Sequence, residues 1–240
     1  MLERIEKLQI ISLGILVGLA IVVSTKMISS TITKNEISVT GSAYEIVKSD
    51  KGTLNFDIEV IRPTRQEAYT TAQTQLKIVE KYLKDKKIEK VNIKTTNGYN
   101  SYKNDPKTGY STNIVEAYHL YQPLSITAED VNLISEISND IAGLINQGIV
   151  INVETPSYDY SKLPELKVKL LELASKDAKN RAESMLKPTR NHVGKIQAVR
   201  MGVYQITPVD STNVSDMGIN DTSTIDKKVT AVANVTFKIK

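Results

Sequence analysis

Two stretches set an apolar residue at every second position, and they narrow the folds open to this chain more than any other feature. In 53–61, Leu54, Phe56, Ile58 and Val60 fall on one side and Asn55, Asp57 and Glu59 on the other. In 229–239, Val229, Ala231, Ala233, Val235, Phe237 and Ile239 share a side. A period of two marks a strand with one buried face and one wet face, as in antiparallel sheets. The stretch 36–47 alternates at Ile37 and Val39 and then meets Gly41, which suggests a bulge or a close backbone approach. Ser49-Asp50-Lys51-Gly52 is turn chemistry, so the first two strands are expected to pair as a hairpin.

Between the strands the period changes to that of helices. Thr64-Arg65-Gln66-Glu67 is a capping box, and Ala68, Ala72, Leu76, Val79 and Leu83 recur at helical spacing after it. A strand at Val91, Ile93 and Thr95 and another over 110–121 flank the turn signal 104–109, which predicts a long hairpin. Thr127-Ala128-Glu129-Asp130 is expected to open a second helix as Thr64 opens the first. Its buried face is Val131, Ile134, Ile137, Ile141 and Leu144, and Gly148 is its C-terminal cap. After a short strand at Ile149, Ile151 and Val153, Ser161 is expected to cap a third helix that has Pro164 in its first turn. That helix carries Leu163, Leu166, Leu170 and Leu173, then Ala174, Ala178 and Ala182, and Pro188 ends it. Strands are expected over 193–206 and 229–239. The polar stretch 207–228 between them reads as a functional loop, an interface arm or a disordered segment. Hairpins mixed with about three single helices predict an α+β fold.

The N-terminus adds a separate constraint. Residues 8–24 carry no charge, which is at the short end of the roughly 17–25 residues that span a bilayer as a helix. Arg4 and Lys7 precede the segment, Lys26 and Lys34 follow it, and positive charge favours the cytoplasmic side. The expected layout is a cytoplasmic tail over 1–7, a single-pass transmembrane anchor over 8–28, a stalk over 29–35 and an extracytoplasmic domain over 36–240. The membrane would be a partner through that helix. The competing reading is a cleaved signal peptide and a soluble secreted protein. The small-residue pairs Gly18/Ala20 and Val22/Ser24 are poor cleavage sites.

Composition excludes several classes. A net charge of +4, with Lys and Glu interspersed, is too mild to argue for nucleic acid. The chain has no Cys, which rules out disulfides and thiol catalysis. The two histidines, His119 and His192, belong to no set with metal-ligand spacing, and none of the common nucleotide, hydrolase or zinc motifs occurs. No cofactor is expected and the ligand is left open. Asp57 and Glu59 read as a wet strand face, not a catalytic carboxylate pair. The aromatic content is almost all tyrosine: 11 Tyr against two Phe and no Trp. Tyr99, Tyr102, Tyr110, Tyr118 and Tyr121 cluster on the predicted hairpin. Tyrosine joins an apolar ring to a polar tip, so these five are candidates for an oligomer interface as well as for core edges.

The order of several motifs resembles the SIMPL-domain family. Ile37-Ser38-Val39-Thr40-Gly41-Ser42-Ala43, Asp50 and the strand 54–60 fit its opening. Lys87-Ile88 stands where the family usually has Gly-Ile. Gly109-Tyr110, Gln147-Gly148 and the helix 171–183 followed by Gly194-Lys195-Ile196 are further matches. The resemblance covers 36–240. It implies an exported bacterial domain, in the periplasm or at the cell surface, linked to envelope and oxidative-stress tolerance and able to form homo-oligomers. It carries over no catalytic residue, so the expectation is a membrane-anchored, self-associating scaffold or binding module and not an enzyme. The alternative is an exported hydrolase without a recognised motif.

Overall fold

The computed structural model describes residues 12–26 and 35–240. In chain order the elements are helix α1 (12–26), β1 (Glu36–Lys48), β2 (Lys51–Arg62), α2 (Arg65–Asp85), β3 (Val91–Ile93), β4 (Asn97–Asn104) and β5 (Ser111–Ala128). They continue with α3 (Val131–Asp140), β6 (Val150–Val153), β7 (Ser157–Asp159), α4 (Leu163–Leu186), β8 (Val193–Met201), β9 (Gln205–Pro208), β10 (Ile219–Asn220) and β11 (Asp226–Ile239). The fold is thus mixed α and β, with four α-helices among the described residues.

The N-terminal transmembrane helix is overturned. Among the described residues no helix is long and apolar enough to cross a membrane. The described part of helix α1 is 12–26. Within it, Thr25 Oγ1 donates back to the Ile21 carbonyl at 2.9 Å. Residues 8–11 and 27–28 of the expected anchor, the tail 1–7 and the stalk residues 29–34 lie outside the described residues.

The described chain divides into two compact units, and β1, α4 and β11 each contribute residues to both. The larger unit holds 44–170 and 203–230. Its six-stranded sheet is antiparallel throughout and centres on β2, which pairs with β5 along one edge and with β6 and β7 along the other. β3 and β4 take the far edge of β5. The alternation in β2 is borne out: Leu54, Phe56, Ile58 and Val60 are all buried, in one core with Leu120, Leu124, Ile126 and the inner faces of α2 and α3. Helix α2 starts as its capping box predicts, with Thr64 Oγ1 accepting from Glu67 N at 3.2 Å. β10 runs parallel to β9, and β9 pairs antiparallel with 227–230 of β11.

Three expectations about this unit fail for identifiable reasons. β2 does not form a hairpin with β1, because both of its edges are occupied by β5, β6 and β7. The turn is anchored elsewhere: Ser49 N donates to Ile225 O at 2.8 Å and Asp50 N to Asp159 O at 3.0 Å. Thr127 is no helix cap. It lies in β5 opposite Thr53, and Asp130 caps α3 by accepting from Asn132 N and Leu133 N at 3.0 and 3.3 Å. Ser161 does not cap α4 either, since its N–H and hydroxyl both donate to the Asp50 carboxylate, at 2.7 and 2.6 Å. These bonds outweigh partial burial and hold the Asp50 carboxyl below its ordinary range.

The smaller unit holds the described residues through Ala43 together with Leu171–Gly202 and Ala231–Lys240. Here 233–239 of β11 pairs antiparallel with β8. The expected strand 193–206 is in fact two strands, β8 and β9, on either side of Gly202. Ala174, Ala178 and Ala182 are buried, and so are Ala231, Ala233, Val235 and Phe237. Gly41 explains the alanines: a Cβ there would overlap the Ala174 carbonyl oxygen and the Ala178 backbone. Helix and strand therefore approach at a distance that only small residues allow. Ser42 N fixes the contact by donating to Asp177 Oδ2 at 2.9 Å.

Candidate functional site

The wet face of the six-stranded sheet gathers polar and aromatic side chains from four strands. Residues opposite one another across a ladder share a face. The register sets Asp57 against Asn152, Glu59 against Tyr121, and His119 against Tyr99. Asn152 Nδ2 donates to Asp57 Oδ2 at 2.9 Å and to Glu59 Oε2 at 3.2 Å, so the two carboxylates hold one amide between them. Tyr121 Oη donates to Glu59 Oε1 at 3.0 Å. His119 Nδ1 lies 3.8 Å from the same oxygen, buried and without a hydrogen-bond partner. The Tyr99 ring stacks on His119 at 4.9 Å between centroids and stands 6.3 Å from Tyr121. The Tyr99 hydroxyl, burial and the bond to Glu59 together push the Tyr121 phenol up, so it stays a neutral donor across the physiological range.

Beyond this patch the sheet narrows to a ribbon. β5 pairs with β2 only over 118–128, whereas its first part pairs with β4 alone. The turn is tightly built. Asp105 Oδ1 accepts from Lys107 N at 2.7 Å, Asp105 N donates to Tyr110 O at 2.8 Å, and Gly109 supplies the left-handed φ of 71°. On the ribbon Tyr102, Tyr110, Ile114 and Val115 are exposed, Tyr110 to 78%.

The five tyrosines singled out in the sequence thus part company. Tyr99 and Tyr121 meet on the wet face beside His119 and Glu59. Tyr102 and Tyr110 stand out from the ribbon. Tyr118, opposite Arg62, packs against the core with the Arg65 guanidinium 5.0 Å over its ring. Sequence reasoning placed His119 in no ligand set and Asp57 and Glu59 on a wet strand face, and it missed Asn152. The only available signal was the parity of positions along each strand, which gives a side chain's face but not its neighbour. Among the described residues no group of three or more His, Cys, Asp or Glu could hold a metal ion.

The expected loop 207–228 is also tied down. Gln205 and Ser215 exchange two hydrogen bonds, at 2.7 and 3.3 Å, and Lys228 Nζ donates to Ser211 O at 2.6 Å.

Compared with family models, the chain matches SIMPL, described as a protein of unknown function (DUF541), over residues 37–237. No curated protein matches it.

Proposed function

This chain belongs to the SIMPL family, and from that premise we propose that it works as a self-associating scaffold or binding module whose contact element is the β4–β5 ribbon. The observation that carries the reading is a ribbon unsupported by β2 that exposes Tyr102, Tyr110, Ile114 and Val115. Tyrosines and aliphatic residues side by side suit an interface, where rings are buried and hydroxyls keep their hydrogen bonds. A two-stranded ribbon gains stability when a third surface covers it. Closed rotational symmetry is the natural outcome of such contacts between identical chains. The family resemblance supports an extracytoplasmic setting, in the periplasm or at the cell surface.

Light scattering on the full chain at tens of micromolar tests the reading. An oligomer is expected, and Tyr110→Ser combined with Ile114→Ser should shift it to monomer without moving the thermal midpoint. A wild-type monomer would sink the proposal. An oligomer unchanged in the double variant would place the contact away from the ribbon.

A further inference from the structure

The strand with the least cover is β8. It pairs with β11 along one side, and among the described residues no backbone group pairs with its other side. Every residue from Lys195 to Met201 is exposed. The register sets Ile196 opposite Phe237, Val199 opposite Val235 and Met201 opposite Ala233, so these three share the apolar face of β11. Their partners are buried, yet Ile196 is 57%, Val199 50% and Met201 57% exposed. The apolar layer therefore runs off the edge of the sheet instead of ending inside it.

The charge along this edge has one sign. Over 184–209 the chain carries Lys187, Arg190, Lys195 and Arg200 and no Asp or Glu. At the start of β8 a cleft of about 580 Å³ is lined by Lys187, Arg190 and His192, with Glu183 as its one acid.

We propose that β8 is the docking edge for an extended segment of another protein that alternates acidic and apolar residues and adds to the sheet as a strand. Three features select this occupant together. A free row of N–H and C=O groups is matched by a polypeptide backbone and by no nucleic acid or lipid headgroup. The exposed Ile196, Val199 and Met201 would be covered by apolar side chains at every second position of the incoming strand. Lys195 and Arg200 call for acidic residues at the positions between, and the basic cleft extends the match past the end of β8. A second copy of this chain fits poorly. Two β8 strands laid antiparallel about their middle would set Lys195 and Arg200 of one against the same residues of the other. The edge shares no residue with the β4–β5 ribbon, so it stands or falls apart from the self-association proposed above.

The test uses the full chain and a fluorescein-labelled nine-residue peptide alternating Glu and Val, followed by fluorescence anisotropy at low ionic strength. This peptide should bind roughly tenfold or more tighter than the same peptide with Lys in place of Glu. It should also slow amide exchange over 193–201. The double variant Lys195→Glu, Arg200→Glu should reverse the order of the two peptides. Both side chains are exposed, and circular dichroism verifies that the variant folds. A Glu–Val peptide N-methylated at every residue offers no backbone N–H to either side and should lose binding to the wild-type chain, which keeps the test decisive if the variant fails to fold. Equal binding of the Glu and Lys peptides, or full binding of the N-methylated one, would overturn the proposal. So would a dimer of the chain that itself protects β8, because the edge would then belong to a second copy.

Discussion

Asp221 shows how much one side chain organises in this protein. Its Oδ1 accepts from Ser223 N at 3.0 Å and from Ser223 Oγ at 2.7 Å, and its Oδ2 accepts from Thr224 N, the Thr224 hydroxyl and Lys227 Nζ. Lys227 is almost wholly buried and also donates to the Asp221 carbonyl at 2.7 Å. Burial pushes the Asp221 carboxyl up, but the hydroxyl and backbone donors and the Lys227 charge outweigh it and hold the group well below the ordinary carboxylate range. A carboxyl lowered by folding contributes stability that is complete above its unfolded pKa and is lost as pH falls toward the folded one. Asp221→Asn leaves the Lys227 ammonium buried without its counter-charge. It should cost about 3–5 kcal/mol in urea unfolding at pH 7, and the acid limb of stability against pH should flatten. A second residue, Lys87, sits at φ 66°, in the left-handed region just past the end of α2, where Ile88 N donates to Leu83 O at 2.9 Å. Glycine takes this conformation without a steric penalty. Lys87→Gly should therefore raise stability by up to about 1 kcal/mol, read from the same denaturation curves. The SIMPL resemblance expects glycine at that position, and the backbone gives the reason.

At the scale of elements, the alternating strands and the helix faces were legible because burial repeats at the period of the backbone. The five residues Ala68, Ala72, Leu76, Val79 and Leu83 of α2 are all buried, as their spacing requires. Caps were less legible. Thr127 and Ser161 have the right chemistry four and two residues before a helix, but a cross-strand partner claims the first and Asp50 the second. A capping motif competes with tertiary partners that are distant in sequence, and no local window includes them. The alanine row of α4 read correctly, and Gly41 gives it a partner. Ala178→Leu should overpack that contact and cost about 1–3 kcal/mol, seen as a lower denaturant midpoint. An unchanged midpoint would mean that the helix can move away from the strand without loss.

For the molecule as a whole, the candidate surface was the least legible part. Tyr99, His119, Tyr121, Glu59 and Asn152 lie far apart in sequence and meet only because β2 pairs with both β5 and β6, and β5 with β4. Periodicity gives each of them a face, but pairing order gives them neighbours. The free side of β8 was hidden for the same reason, since an edge is defined by the strand that is absent beside it. The family match spans 37–237 and so encloses both surfaces. The double role of β5 also has a mechanical consequence. The strand runs without interruption from the exposed ribbon into the ladder with β2, from Arg62–Tyr118 to Gly52–Ala128. Tension applied at the tip along β5 loads that ladder in shear, with its hydrogen bonds bearing force together. Tension that lifts β4 instead unzips the ribbon one bond at a time. The arm is compliant in one direction and stiff in the other, so a partner that grips β5 pulls on the core itself.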